Sequence, residues 1–355
     1  PKRTGRAMSE TLTTLGEVCD ILGKPSSVLI LTHTRPDADT LGCAAALREM
    51  LISLGKRAEI ANDDDIPRRL KFIFGKEPDD EFDLRPERLA DFEPDMIVSV
   101  DVSASKLLGK LEEPYAGRTY LAIDHHALGT PFAEKTYVGA LGACGEIICD
   151  LAKEFEKRGK KTLDREGAIA LYAAIMSDTG SFRFDSVTAE THMRIASLLG
   201  YGFDHSEVAR RMYDSRPLSQ VMGTKVALND LHFYNGNRVA VINFTKKMRE
   251  DNNLSREDID DIISLTRSIE GVEVGMTIKQ SDDDLTLYKV SMRSNRVVDV
   301  SKLCAVFGGG GHKRASGCTL NAASEYDAEA RLMAVINEEL AALDKARAFD
   351  GAGEI

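Results

Sequence analysis

The chain has 355 residues, 43% of them hydrophobic, and a formal net charge of −11. That length suits two domains with a sizeable core, and the acidic balance argues against a protein that tracks long nucleic acid along a basic groove, while a local basic pocket for a small anion stays compatible. No apolar run approaches the roughly 20 residues of a membrane span, and the six cysteines form no C-x-x-C pair, which argues against a zinc finger or a disulfide framework and makes a reducing cytoplasm the expected setting.

Residues 1–10 carry basic side chains with no apolar stretch behind them, so a disordered tail is expected there rather than a signal peptide. Val28-Leu29-Ile30-Leu31 reads as a strand buried on both faces. Ala44, Leu47, Leu51 and Leu54 then recur at helical spacing until Gly55 stops the run. Further strands are expected at 57–61, 96–100 and 120–123, and helices at 145–158 and 164–176. This alternation predicts an α/β fold, a mostly parallel sheet with helices on both faces. The stretch 187–228 reads as a helical linker. Beyond it, strands are expected at 238–244, 272–280 and 285–292, with one helix between the first two, capped by Ser255, and a last helix at 323–346. The expected division is a catalytic domain over 1–186, the linker, a smaller α/β domain over 229–345, and a loose tail at 346–355.

Chemistry-bearing residues follow the strands. His33, Asp37 and Asp39 form an H-x-x-x-D-x-D turn after the first strand, a spacing that lets one loop feed two cations; a solvated turn capping the next helix is the alternative. Asp101 follows another strand, where one carboxylate could bridge two ions about 3.5–4 Å apart or serve as an ordinary turn residue. Asp124-His125-His126 follows a third. There one histidine can bind metal while the other faces substrate, with Asp124 orienting the ligand; two surface histidines are the plain alternative. Asp178 is expected just past a helix end, where the macrodipole disfavours a carboxylate unless a cation holds it. In open α/β sheets such loops meet beyond the carboxyl ends of the strands.

In the second domain, Gly308 to Gly311 followed by His312, Lys313 and Arg314 offers free backbone N–H groups and cations suited to a phosphate. Arg293, in Ser291-Met292-Arg293-Ser294, could clamp a phosphate or stand as a surface charge. His192, His205 and His232 read as structural. The runs 63–65 and 282–284, three aspartates each, read as exposed turns.

This ordered set resembles the DHH/DHHA1 phosphoesterase family, and within it the bifunctional oligoribonuclease and pAp phosphatase branch, from about residue 28 to 320. The resemblance implies a DHH domain and a smaller DHHA1 domain across a cleft. It implies two manganese ions, with magnesium or another divalent metal as alternatives. One ion would be held by His33, Asp37 and Asp101, the other by Asp39, Asp101, His125 and Asp178. It further implies His126 on the scissile phosphate, Asp124 orienting its neighbours, and Ser291, Arg293, Ser294, Gly310, Gly311 and His312 gripping the far end of the substrate. The stretch 140–146 is less hydroxyl-rich than the family pattern. The implied reaction is in-line attack on phosphorus by a hydroxide activated between two metals, with Asp101 and His126 central to catalysis. The implied partners are short RNA or a small nucleotide, without long duplex or membrane; a homodimer is compatible. Rival readings are a cyclic or linear dinucleotide phosphodiesterase, a RecJ-like single-strand exonuclease, a family II inorganic pyrophosphatase, and a catalytically silent nucleotide-binding regulator.

Overall fold

Strand β2 (Ser27–Leu31) is buried along its whole length, and its alternate side chains feed two different cores. In the computed structural model, which describes residues 9–350, Val28 and Ile30 join one apolar cluster while Leu29 and Leu31 join another on the opposite face. The period-two geometry of a strand produces that split. The chain divides at Ser215 and Arg216 into two units.

The first unit is built on a six-stranded, all-parallel sheet. Its elements, in chain order, are β1 (Glu10–Thr11), α1 (Leu15–Leu22), β2, α2 (Ala38–Ser53), β3 (Arg57–Ala61), β4 (Met96–Val100), the single turn α3 (Glu112–Tyr115), β5 (Leu121–Asp124), β6 (Lys135–Val138), α4 (Cys144–Lys157), α5 (Arg165–Asp178), α6 (Ala189–Leu199) and α7 (His205–Ala209). The strand order is β1-β6-β5-β4-β2-β3. Ile30 stands opposite Ile60 on one side and Val98 on the other. One face of the sheet is covered by α1, α2, α4 and α5, and the other by short helical turns carrying Leu108, Leu111 and Ala116.

Helices α2 and α5 are apolar nearly all round because both are enclosed. They approach closely at Gly42, where a Cβ would lie 2.4 Å from the Ala170 carbonyl oxygen and 2.9 Å from the Ala174 methyl. Three expectations are corrected here. Glu10, placed in a disordered tail, is hydrogen-bonded in β1 against β6. Asp178 is the last residue of α5 rather than a loop residue beyond it. The supposed linker contributes Ile195, Leu198, Phe203, Val208 and Met212 to the first unit's core.

The second unit opens with α8 (Leu218–Asn229), followed by β7 (Leu231–Tyr234), β8 (Val239–Phe244), α9 (Lys246–Asp251), α10 (Ile263–Arg267), β9 (Val274–Gln280), β10 (Leu287–Ser294), α11 (Val300–Ala305), β11 (Gly310–His312), β12 (Ala315–Asn321) and α12 (Glu325–Asp350). Its sheet runs β11-β12-β10-β9-β8-β7, antiparallel except for the parallel pair β8–β9. Ala328, Leu332, Ile336 and Leu340 of α12 cover one face over Val239, Val274 and Met276. The helix expected after a Ser255 cap is a 3-10 turn (Glu257–Ile259) followed by the short α10, with Ser255 and Asp258 exchanging reciprocal bonds at its start, and Asn253, at a left-handed φ of 52°, separates this segment from α9. The tail at 351–355 lies outside the described residues, and so does most of 1–10.

Replacing Gly42 by valine is expected to destabilise the chain by about 2–3 kcal/mol through overpacking against Ala170 and Ala174. The same experiment at Gly117→Ala, where a Cβ meets nothing within 4 Å, should change stability by less than about 0.5 kcal/mol. Urea melts of the two variants provide the measurement.

Candidate metal centre

Strands β5, β4 and β2 are consecutive neighbours in a parallel sheet, so their carboxyl ends emerge side by side. The turns that follow carry His33, Asp37 and Asp39, then Asp101, then Asp124, His125 and His126. Asp178 reaches the same place from the end of α5, which packs along α2. Asp101 has a left-handed backbone, φ 57°, a conformation costing about 1–2 kcal/mol for a residue with a Cβ. Its N–H is held by Ile123 O at 2.9 Å.

The geometry sorts the donors into two sets that share Asp101. His33 Nε2 lies 3.6 Å from Asp37 Oδ1 and 3.6 Å from Asp101 Oδ2. His125 Nε2 lies 3.5 Å from Asp101 Oδ1, 3.6 Å from Asp178 Oδ2 and 3.9 Å from Asp39 Oδ2. These separations are too long for hydrogen bonds. They match the donor-to-donor edge, about 3.4 Å, of a tetrahedral shell with bonds near 2.1 Å. Asp101 Oδ1 and His125 Nε2 are both buried, and among the described residues neither has a hydrogen-bond partner. Leaving such atoms bare costs about 1–3 kcal/mol each, and a divalent cation between them answers both. The residues present therefore fit a metal centre.

Three of the candidate ligands, His33, His125 and Asp39, are aimed by a second contact. His33 Nδ1 bonds Thr34 O at 2.9 Å and His125 Nδ1 bonds Leu141 O at 3.1 Å. Donation from Nδ1 to a carbonyl fixes the tautomer that leaves Nε2 with its lone pair. Asp39, fully buried, accepts from Cys144 N at 2.6 Å and Gly145 N at 2.8 Å. Those are the first N–H groups of α4, whose own N-cap, Ala143, offers no side-chain acceptor. The hydroxyl-poor stretch 140–146 thus contributes main-chain atoms, which side-chain motifs do not display.

His126 is set differently. It is half-exposed, and its Nδ1 bonds Asp124 Oδ1 at 2.8 Å, leaving Nε2 free to face a substrate. The same Asp124 oxygen accepts the N–H groups of His125 and His126. Of the aspartates at 63–65, Asp65 is exposed as expected, while Asp63 and Asp64 depart from an exposed turn. Asp64 accepts the Arg35 N–H and Asp63 that of Lys110, while Asn62 Nδ2 bonds His33 O, so this run braces the His33 loop. Asp282, from the other acidic run, is paired with Arg249 and Arg256.

Electrostatics follow from burial. Asp39 and Asp101 are pushed above the ordinary carboxylate range by desolvation and then by neighbouring carboxylates, Asp101 for Asp39 and Asp37 for Asp101. Asp178 rises to about 7 for the same reasons, with Asp37 and Asp101 as its neighbours. For His33, burial opposes protonation, but the carboxylates of Asp101 and Asp37 overcome it and raise the imidazole to about 11. Asp124 raises His126.

In the second unit, Ser291 and Arg293 lie on β10, separated from Gly310, Gly311 and His312 on β11 by β12 alone. Register sets Ser291 and Gly310 both opposite Gly317, and Arg293 and His312 both opposite Ala315. The His312 side chain lies outside the described residues. Arg293 is desolvated, and Arg267 adds a second positive charge nearby. Ser294 is buried and its hydroxyl donates to Val298 O, a structural task. The glycine run is not a loop of free donors. Gly308 and Gly309 donate to Ala305 O and Cys304 O, and β11 pairs with β12, which a Cβ on Gly311 would strike at Ala315 O, 2.7 Å away. His232 lies beside two carboxylates, Glu329 at 3.6 Å and Asp230 at 3.8 Å. All six cysteines are free and buried, and among the described residues no helix is long and apolar enough to cross a membrane.

A carboxyl raised on folding stabilises the folded chain while protonated. For Asp178 that contribution is complete below its ordinary value of 3.8 and is lost as pH climbs through about 7. In chelator, Tm should therefore fall across this window. Saturating Mn²⁺ should raise Tm, most at the alkaline end, by about 5 °C or more. Differential scanning fluorimetry with and without Mn²⁺ checks this, and a Mn²⁺ effect absent at pH 8 would remove the metal reading.

Comparison with known proteins agrees with this geometry. Residues 27–175 match the DHH family N-terminal domain and residues 236–342 match the DHHA1 domain. The bifunctional oligoribonuclease and PAP phosphatase NrnA of Thermus thermophilus is 29% identical over 93% of this chain and 95% of its own length. The protein of that name from Bacillus subtilis is 25% identical over 85% of this chain and 91% of its own. A solved structure, an exopolyphosphatase-related protein from Bacteroides fragilis, shares the fold with a TM-score of 0.82 at 23% identity, over 92% of this chain and 96% of its own. With both domains present in order, and with relatives that match nearly end to end, the chain belongs to the DHH/DHHA1 phosphoesterase family.

Proposed function

We propose that this chain is a metal-dependent phosphoesterase that hydrolyses short oligoribonucleotides to mononucleotides and removes the 3′-phosphate of pAp. The observation that carries the reading is the buried Asp101, whose two oxygens face separate histidine–carboxylate sets. The names of the relatives, oligoribonuclease and PAP phosphatase, supply the substrate class. Two Mn²⁺ ions, or Mg²⁺ in their place, held by His33, Asp37 and Asp101 and by Asp39, Asp101, His125 and Asp178, would supply a water of lowered pKa and neutralise phosphoryl charge.

The remaining chemistry belongs to side chains. His126, half-exposed and shifted toward its protonated form by its hydrogen bond to Asp124, would present an Nε2 proton to a phosphoryl oxygen or to the departing one. Asp124 acts as a positioning residue for both histidines. In the second unit, Arg293, Ser291, Gly310, Gly311 and His312 are assigned to the non-reacting end of the substrate, where the desolvated guanidinium suits a phosphate. Ser294 shapes that strand end without touching substrate. The net charge of −11 accords with a small substrate rather than a long strand, and the six free thiols accord with a cytoplasmic setting.

Asp101→Asn should lower kcat on a diribonucleotide with saturating Mn²⁺ by at least about 10³-fold, whereas Asp124→Asn should cost about 10–100-fold. His126→Ala should cost about 10²–10⁴-fold and remove the alkaline limb of the pH–rate profile. The assay panel should contain pAp, di- to pentaribonucleotides, cyclic di-AMP, pyrophosphate and long single strands. Cyclic di-AMP belongs there because a cyclic-di-AMP phosphodiesterase from Geobacillus thermodenitrificans is 25% identical over 90% of this chain and 48% of its own length. Near-normal hydrolysis by Asp101→Asn, or a clear preference for pyrophosphate or long DNA, would overturn the assignment.

A further inference from the structure

Away from the metal centre, the first unit contains a cavity of about 600 Å³, a volume typical of small-molecule sites. Its walls are the second half of α2, the edge strand β3, the 3-10 turns Arg68–Phe74 and Pro86–Leu89, and the start of α5. Arg48 on α2 is nine residues after Asp39, and Ile169 on α5 is nine residues before Asp178. At 1.5 Å per residue, roughly 14 Å of helix separates this cavity from the metal ligands. It is a different site.

The lining has two chemistries. Ile60, Phe74, Phe82, Leu84 and Ile169 make an apolar surface in which the rings of Phe74 and Phe82 sit 4.8 Å apart with a 34° tilt. A planar aromatic ligand packs well on such rings. Arg48, Arg88 and Arg165 add guanidinium groups. Each is anchored through one N–H to a carboxylate: Glu49 at 2.6 Å, Glu59 at 3.2 Å and Glu166 at 3.4 Å. A guanidinium carries five donors, so among the described residues each fork keeps donors beyond its anchor. The carboxylates hold the forks in place and, being acceptors only, offer nothing to a second anion.

We propose that this cavity is a second binding site, for a nucleoside monophosphate, with the base against Phe74 and Phe82 and the phosphate on Arg48 and Arg88. The choice of nucleoside monophosphate among aromatic anions rests on the proposed hydrolysis, which releases such molecules.

The chain contains no tryptophan, so Phe82→Trp places a single indole fluorophore in the cavity wall. AMP titrated in EDTA, which suppresses metal-dependent binding at the catalytic centre, should quench that emission saturably. Arg48→Ala combined with Arg88→Ala should weaken the affinity at least about tenfold, and adenosine should bind at least about tenfold more weakly than AMP. Unsaturable quenching, equal binding of adenosine, or indifference to the arginine changes would overturn the proposal. Should Phe82→Trp fail to fold, equilibrium dialysis of labelled AMP in EDTA compares the wild-type chain with the double arginine variant. Loss of one bound equivalent in that variant supports the site, and unchanged binding overturns it. Oligoribonucleotide hydrolysis is measured separately: arginine-dependent AMP binding by a chain that hydrolyses none would fault the functional reading and leave this site standing.

Discussion

Five aspartates (Asp37, Asp39, Asp101, Asp124 and Asp178) crowd one end of the first unit's sheet, and three of them, Asp39, Asp101 and Asp178, are held there against burial and their own repulsion. Burial and mutual repulsion raise all three, and no arginine or lysine is hydrogen-bonded or ion-paired with any of them among the described residues. The groups that face these carboxylates are the Nε2 atoms of His33 and His125, at distances too long for hydrogen bonds. Everything else near the site is consistent with keeping this repulsive arrangement assembled until cations neutralise it.

The fold keeps it assembled by parallel order. Three adjacent strands deliver three turns to one edge, and the tight α2–α5 pair fixes Asp39 and Asp178 on a common scaffold. A sheet buried on both faces tolerates little shift in register, because a one-residue slip would exchange the two cores. The positional accuracy required for metal ligands is thus inherited from packing that lies well below the site. The ionised chemistry at the edge is held by an apolar interior that contains none of it.

Much of this is legible in the residues themselves. Apolar runs such as Val28 to Leu31, each followed within two residues by an aspartate or histidine, mark buried strands and their candidate ligands together, so both emerge from one pattern. What that pattern hides is either polar or main-chain. Strand β6 carries Lys135, Thr136 and Tyr137, and is recognisable only from its pairing with β5. The amides of Cys144 and Gly145 and the carbonyl of Leu141 act through atoms common to every residue, which no motif can report. The aspartates at 63 and 64 resemble solvated turn formers because their partners are backbone N–H groups distant in sequence. The glycine run promises free donors, yet at Gly309 and Gly311 the missing side chain serves close approach to β12.

Asp39 has a double occupation that shapes how mutational data on this family member should be interpreted. Its carboxylate both faces the cations' place and terminates α4 from outside that helix. Removing it frays the start of α4 as well as taking away a candidate ligand, so an inactive Asp39→Ala protein would not by itself distinguish lost coordination from a loosened helix. Asp178, which accepts no hydrogen bond of that kind among the described residues, is the cleaner position at which to separate chemistry from architecture.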